Sequence, residues 1–155
     1  KKKIILGEIM KNKIKLLILS LLTIVVTLNG DSKTLVTEYG YEDSYEKALI
    51  KAKSLDKPIM LVLSTKTCPW CRKLERQTLK KEFIKKIIKN DFIPLSIDRD
   101  HGVYPDAFKT KVVPTIFIIN AHNEEKVSSI FGYKNKKDFK NLLLEASKKY
   151  KEDNK

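Results

Sequence analysis

The feature that most constrains this chain is its cysteine pair, Cys68 and Cys71, which are the only cysteines among 155 residues. Pro69 and Trp70 lie between them, and the apolar run at residues 58–63 comes just before. Such a run is typical of a strand buried on both faces. Proline suits the first turn of a helix, where its missing N–H would have no partner. The motif therefore predicts a strand, a short loop and a helix whose N-cap is Cys68.

The rest of the chain alternates between helical and strand patterns. Residues 41–55 place Tyr45, Leu49 and Ala52 at helical spacing, with Ser44 or Asp43 near the start. An apolar stripe extends the motif helix to residue 89. Strands are predicted at residues 58–63, 92–98, 115–120 and 126–131, a short helix at 104–109 and a last helix at 136–149. With 42% hydrophobic and 33% charged residues, the composition is that of a globular protein. The order predicts an α/β fold, a single domain with a central mixed β-sheet flanked by helices.

The first 30 residues have a different pattern. Lysines around Met10 lead into an apolar run at residues 16–28, and small or polar residues follow at 29–32. This is the pattern of a secretory signal peptide, and the run is shorter than the ~20 residues of a membrane-spanning helix. We therefore assign residues 1–30 to upstream residues plus a signal peptide, and 31–155 to one domain with its core at about 41–150. An N-terminal membrane anchor is the alternative if the segment is not cleaved.

The net charge of +13 raises the question of a nucleic-acid partner. Six lysines and one glutamate lie in residues 1–30, so the remaining residues carry +8 of that total. The lysines are spread along the chain, without the arginine clusters and interleaved aromatic residues that read nucleic acid. We predict no nucleic-acid partner, while a weak attraction to anionic membrane surfaces or acidic partners stays open.

The close spacing of the cysteines favours redox exchange over three alternatives. A structural disulfide stabilises by closing a long loop, and this one would close almost none. A metal site needs about four ligands, and His101 and His122 lie too far along the chain for zinc-finger spacing. Two unrelated buried thiols would be unusual in an exported protein. No metal is predicted, and both histidines are interpreted as loop residues.

The predicted helix start also bears on thiol reactivity. At the N-cap, a Cys68 thiolate would accept backbone N–H groups from Trp70 and Cys71, which lowers the pKa of the thiol below its free value of about 8.5. Nearby cations such as Lys66 and Arg72 act in the same direction. Cys71 falls on the same helical face, within reach of a disulfide. We expect an exposed attacking thiol at Cys68 and a buried resolving thiol at Cys71.

Two separated motifs make the chain resemble the thioredoxin superfamily over nearly all of residues 41–150. The first is residues 68–71 after the predicted strand, and the second is residues 112–115, Val-Val-Pro-Thr, which is similar to the cis-proline loop of that superfamily. The resemblance implies a thioredoxin fold and a cis peptide bond before Pro114. It also implies that Val113 and Pro114 bind an extended substrate beside the disulfide. Trp70 either shapes the contact surface for that substrate or is an exposed residue that packs over the helix start.

Within the superfamily, CPWCRKLERQTL followed by FIPLSIDRD is most similar to periplasmic thioredoxin-like proteins and to the C-terminal domain of the reductant transporter DsbD. Two differences stand out. The buried aspartate of the superfamily is replaced by Val62, so proton transfer to or from Cys71 would depend on Glu75 or on water. A solvated Glu75 in an i,i+4 ion pair is the alternative. The usual tryptophan before the first cysteine is Thr67.

The resemblance implies a periplasmic thiol:disulfide oxidoreductase that acts on protein disulfides or thiols. Cys68 would attack and Cys71 would resolve, and no cofactor is needed because the electrons stay on sulfur. Oxidants of the DsbA kind carry a helical insertion before the cis-proline, and the short segment between Asp98 and Pro114 has no room for one.

The expected direction is therefore reduction of substrates, with a membrane electron donor of the DsbD type. A monomer is expected. Isomerase action ranks last, after reduction and oxidation, because isomerases of this fold usually carry a dimerisation domain and the sequence shows none. Oxidase or isomerase action stays an alternative, as does a non-catalytic binding module or chaperone of the same fold.

Overall fold

The structure, a computed structural model, describes residues 33–155, and the predicted signal segment lies outside them. The four strands of the described residues are β1 (Ile59–Ser64), β2 (Ile93–Asp98), β3 (Thr115–Ile119) and β4 (Lys126–Phe131). Their five α-helices are α1 (Lys33–Tyr39), α2 (Tyr45–Leu55), α3 (Pro69–Leu74), α4 (Glu82–Asp91) and α5 (Lys136–Asp153). A π-helical segment, Glu75–Leu79, continues α3, and a 3₁₀ turn spans Asp106–Phe108.

The strands form one mixed sheet in the order β2-β1-β3-β4. β1 runs parallel to β2 and antiparallel to β3, and β3 runs antiparallel to β4. The two inner strands are apolar except for Ser64 at the end of β1 and Thr115 at the start of β3, as expected for strands covered on both faces. These observations confirm the predicted α/β fold with a mixed sheet flanked by helices.

Alternating residues of the inner strands enter two different cores, because successive strand residues point to opposite faces of the sheet. Met60 and Val62 join a cluster completed by side chains of α4 and α5, including Ile84 and Phe139. Their neighbours in β1 join a second cluster with Tyr45 and the alanines of α2. The sheet is thus packed on both faces, and the connecting loops lie at the ends of its strands.

The prediction of one continuous helix from Pro69 to residue 89 is wrong. The chain turns at residues 80–81, and the N–H of Lys80 bonds to the carbonyl of Glu75, five residues back, at 3.0 Å. The Thr78 hydroxyl fixes this wider turn by donating to the Lys134 carbonyl at 2.8 Å. Neither glycine nor proline marks the break, so the apolar stripe continues in the sequence although the helix does not.

Smaller differences concern the ends of other elements. Ser44, one of the two residues considered near the helix start, is the N-cap of α2, and the helix begins at Tyr45 rather than at residue 41. Helix α1 was not predicted, and residues 104–109 contain only the 3₁₀ turn. Helix α5 continues to Asp153, four residues beyond the predicted end.

Within residues 33–155, the structure contains no helix whose length and apolarity would allow it to span a bilayer.

Candidate functional site

The two cysteines are joined by a disulfide at the carboxyl end of β1. Their Cα atoms lie 5.3 Å apart, within the usual range for disulfides. Cys68 is the N-cap of α3 with an extended backbone, and its Sγ accepts the N–H of Cys71 at 3.0 Å. Pro69 occupies the first helical turn. The local structure predicted from the motif is therefore confirmed.

The predicted contrast between an exposed and a buried cysteine is wrong for the oxidised form. Cys68 is 8% exposed and Cys71 is 9% exposed. Because the bond places the two sulfur atoms against each other, each covers part of its partner. One feature that distinguishes the two cysteines here is the N-cap hydrogen bond, in which the Cys68 sulfur accepts the N–H of Cys71.

The loop before β3 lies beside the end of β1 that leads to the cysteines. Leu63 pairs with Thr115 in the sheet register. Val113 and Pro114, the two residues before Thr115, therefore lie at the end of the sheet where β1 leads to the cysteines. The peptide bond between them is cis, as the resemblance implied. The Pro114 carbonyl accepts the N–H of Gly132 at 2.8 Å, which ties the loop to the end of β4. Pro114 is buried, whereas Val113 is partly exposed.

Trp70 stands out from this surface, with 55% of its side chain area exposed. Its ring centroid lies 6.0 Å from that of Tyr133. The Lys73 ammonium lies 4.8 Å from the Trp70 centroid and 4.6 Å from the Tyr133 centroid. The Tyr133 hydroxyl donates to Gln77 at 3.1 Å. We call Trp70, Lys73 and Tyr133 the aromatic–lysine cluster. Tyr133 was not predicted, and its only sequence signal is an aromatic residue at the end of a strand.

Glu75 is not the solvated residue in an i,i+4 pair that was considered as an alternative. Its side chain is 17% exposed, and its Oε1 lies 2.9 Å from Nζ of Lys80, five residues on. The π-helical segment brings these two residues together. Burial lowers the pKa of Lys80, but the hydrogen bond and charge of Glu75 outweigh it, so the pKa lies above its ordinary value. The backbone N–H of Glu75 bonds back to the carbonyls of Cys71 and Arg72, which places it one turn beyond the resolving cysteine.

Two other side chains complete the interior near Glu75. Val62, at the position of the superfamily's buried aspartate, lies in the apolar core. Tyr41 is fully buried, and its hydroxyl has no hydrogen-bond partner among residues 33–155. Burial, and to a lesser extent the charge of Glu75, raise the pKa of Tyr41. Glu75, directly after the helix that begins at the cysteine motif, is thus the acidic residue whose charge acts on Tyr41 in this interior.

The two histidines lie in loops, as interpreted from the sequence. His101 is exposed, and its Nδ1 lies 3.2 Å from a carboxylate oxygen of Asp98. His122 lies in the β3–β4 connection with its Nε2 2.9 Å from Asp56. In the described part of the chain, no group of three or more His, Cys, Asp or Glu side chains is arranged to hold a metal ion.

Known proteins share part of this sequence. Spermatogenesis-associated protein 20 of Homo sapiens is 33% identical over 64 residues, which cover 41% of this chain and 8% of that protein. Anterior gradient protein 3 of Mus musculus is 30% identical over 80 residues, which cover 50% of this chain and 47% of that protein. The chain thus spans less than half the length of either relative.

Three solved structures share the fold at low sequence identity. A thioredoxin from Thermus thermophilus has a TM-score of 0.59 at 20% identity, over 67% of this chain and 84% of that one. The DsbH oxidoreductase has a TM-score of 0.59 at 21% identity, over 69% and 83%. The oxidised C-terminal domain of Neisseria meningitidis DsbD has a TM-score of 0.52 at 16% identity, over 68% and 98%.

A family model described as a thioredoxin-like domain matches residues 45–147, well over half of the chain. The match includes all four strands, both cysteines and the cis-proline loop. By its sequence, and in agreement with its fold, this chain belongs to the thioredoxin-like domain family.

Proposed function

We propose that the chain is an exported thiol:disulfide oxidoreductase that reduces disulfides of protein substrates in the periplasm. The observation that carries the proposal is the disulfide between Cys68 and Cys71 at the first turn of α3, beside the loop of Val113 and Pro114. A bond between residues so close in sequence adds little stability, so its chemical use is the better explanation. The pattern of residues 1–30 supports export.

The reaction proceeds by two thiol–disulfide exchanges. In the reduced protein, the Cys68 thiolate attacks one sulfur of a substrate disulfide, forms a mixed disulfide and releases the other sulfur as a thiolate, which takes up a proton. Cys71 then loses its proton and attacks Sγ of Cys68. This second step forms the bond seen in the structure and releases the second substrate thiol. Two electrons pass from the cysteine pair to the substrate.

Other residues of the site have supporting roles in this proposal. Val113 and Pro114 bind the substrate backbone next to the mixed disulfide, and Trp70 contacts substrate side chains. Glu75 takes up the proton of Cys71 before the second attack. Its partial burial next to α3 supports this assignment, because a carboxylate shielded from bulk water is held at a fixed place.

The segment between β2 and the cis-proline loop supports the reducing direction. It contains only the 3₁₀ turn Asp106–Phe108 and no inserted helical domain. A reductase must be recharged by a dithiol, and a membrane electron donor of the DsbD type would supply it. The protein would act as a monomer.

Two single variants test the exchange mechanism, because Cys68→Ser and Cys71→Ser remove the same disulfide and so control for each other. We expect both to lose insulin reduction. Only Cys71→Ser is expected to accumulate a mixed disulfide with a substrate peptide, because its attacking thiol remains while the resolving thiol is gone. Mass spectrometry after alkylation of free thiols detects that adduct.

Equal behaviour of the two variants, with insulin reduction retained, would contradict the enzyme and favour a non-catalytic binding module. Titration of residues 31–155 in glutathione buffers then gives the direction. A potential near the thioredoxin value of about −270 mV supports a reductase, whereas a value near about −120 mV would indicate a disulfide donor.

A further inference from the structure

The surface around the disulfide carries several cations without acidic partners. Lys66, Arg72 and Lys73 come from the cysteine loop and α3, and Lys111 comes from the loop before the cis-proline. Among residues 33–155, none of these four groups lies within ion-pair distance of a carboxylate. Three of the side chains are exposed and Lys73 is half-buried. The positive charges are therefore carried by both segments that border the site, the cysteine loop with α3 and the loop before the cis-proline.

The acidic side chains at the same end of the sheet do not offset this charge. Glu75 is paired with Lys80 and mostly buried. Asp98, at the end of β2, faces His101, and Asp100 is paired with Arg99. The charges of Glu75 and Asp100 are thus offset by Lys80 and Arg99, whereas none of the four cations has a carboxylate partner among residues 33–155.

Two contacts hold parts of this charged surface in place. Nη1 of Arg72 donates to the Lys66 carbonyl at 3.0 Å, which fixes the cysteine loop against α3. The Lys73 ammonium is held by the rings of Trp70 and Tyr133, which can supply no oxygen acceptor from their faces. Lys73 therefore keeps N–H donors for an external carboxylate at a position already ordered before binding.

The cis-proline loop is anchored as well. Nη1 of Arg99 donates to the Lys111 carbonyl at 2.8 Å, and the Thr115 hydroxyl donates to the Val112 carbonyl at 2.7 Å. The Lys111 side chain is thus presented two residues before Val113, where the proposed function places the substrate backbone.

We propose that this site selects disulfides in acidic peptide segments, whose Asp or Glu side chains bind Lys73, Arg72, Lys66 and Lys111. The inference rests on the proposed function and specifies its substrate class. Attraction between opposite charges raises the rate at which such segments meet the site, and the hydrogen bonds to Lys73 hold them during exchange.

The test uses three cyclic peptides that share one disulfide and differ only in their flanking residues, which are Glu, Gln or Lys. Each is reduced by the pre-reduced protein, and separately by dithiothreitol to correct for the reactivity of the peptide itself. We expect the corrected rate to be about tenfold higher for the Glu peptide than for the Lys peptide, with the Gln peptide between them. Raising the salt from about 20 mM to about 500 mM should bring the ratio towards one.

Variants locate the effect on this surface. Lys73→Gln should lower the Glu-to-Lys rate ratio about threefold, and Lys73→Arg, which keeps the charge and the ring contacts, should restore it. Lys53→Gln makes the same change in the last turn of α2, shortly before the start of β1 and so at the other end of that strand from the cysteines. It should leave the ratio unchanged. A ratio is used because loss of a nearby cation also changes the reactivity of Cys68. That change affects the rates with all three peptides alike and cancels in the ratio.

The outcomes separate this inference from the proposed function. Equal corrected rates for the three peptides would overturn the substrate class while leaving the reductase intact. Reduction of none of them, including the uncharged Gln peptide, would overturn the proposed function. An effect of Lys53→Gln as large as that of Lys73→Gln would overturn the assignment to this surface.

Discussion

At the scale of single residues, Glu75 is a largely buried side chain next to the cysteine helix that has a role in the proposed chemistry. It follows the resolving cysteine by one turn, lies largely out of solvent and has Lys80 as its counter-ion. A carboxylate held in this position can accept a proton without diffusing water. The Val62 side chain leaves no second acid in the adjacent strand.

Replacing Glu75 by Gln should slow the second exchange while leaving the first nearly unchanged. Loss of a positioned base costs roughly tenfold or more in the step that it serves. Quenched single-turnover experiments that follow the mixed disulfide measure both rates, and its lifetime should lengthen most at low pH, where the Cys71 thiolate is scarcest.

Glu82→Gln serves as the control, because it removes an exposed carboxylate of α4 that is paired only with Lys85. If that variant prolonged the mixed disulfide as much as Glu75→Gln, the effect would be one of general charge and Glu75 would have no part in proton transfer.

At the scale of elements, the π-helical segment connects the cysteine helix to the rest of the first core. Thr78 lies in it, fully buried, and bonds to the Lys134 carbonyl in the connection between β4 and α5. The segment also brings Glu75 and Lys80 together and places Gln77 next to Tyr133. One wide turn thus links α3 to the connection between β4 and α5, which carries Tyr133 of the aromatic–lysine cluster.

Thr78→Val should destabilise the protein by about 1–2 kcal/mol, because the isosteric side chain leaves the Lys134 carbonyl without its donor. Urea unfolding measures the free energy, and Thr78→Ser, which keeps the hydroxyl, should lose less. A neutral Thr78→Val would mean that the hydrogen bond does not stabilise this turn.

The elements that the sequence predicted well are those whose signals are local. β4 has the predicted ends, and β1 and β2 begin one residue later than predicted, because continuous or alternating apolar runs mark strands directly. The helix start at Cys68 followed from Pro69. The break after Leu79 could not be predicted, since it depends on Thr78 reaching a residue 56 positions away. The cis bond before Pro114 came from the resemblance alone.

At the scale of the whole molecule, a polar cluster ties three elements together on the side away from the cysteines. Asp56, just after α2, accepts hydrogen bonds from His122 of the β3–β4 connection and from Tyr150 of α5. The hydrogen bond from His122, followed by that from Tyr150, lowers the pKa of Asp56. Burial, followed by the bond to Asp56, raises the pKa of Tyr150 to about 12.

This cluster should make the acid side of the stability curve depend on Asp56. Since the folded pKa lies below the unfolded value of about 3.9, its contribution is present above that value and is lost as the pH falls through the folded pKa. Asp56→Asn keeps a residue that tolerates the left-handed backbone found there (φ 48°) but removes the titration.

Unfolding free energies of the two proteins between about pH 6 and pH 2 test this. The unfolding free energy of Asp56→Asn should fall less steeply with decreasing pH than that of the unmodified protein. His122→Ala should also reduce this pH dependence. An unchanged slope in Asp56→Asn would assign the acid sensitivity to other carboxylates.

The strand order of the sheet determines whether the site stays intact when part of the domain unfolds locally. The cysteine loop follows β1 and the cis-proline loop precedes β3, and these are the two inner strands, flanked by β2 and β4. Amide hydrogens of inner strands usually exchange only on global unfolding, whereas edge strands and end helices open more often. Loosening of α1 would therefore leave the two loops in register, and the ability to exchange disulfides should persist until the whole domain unfolds.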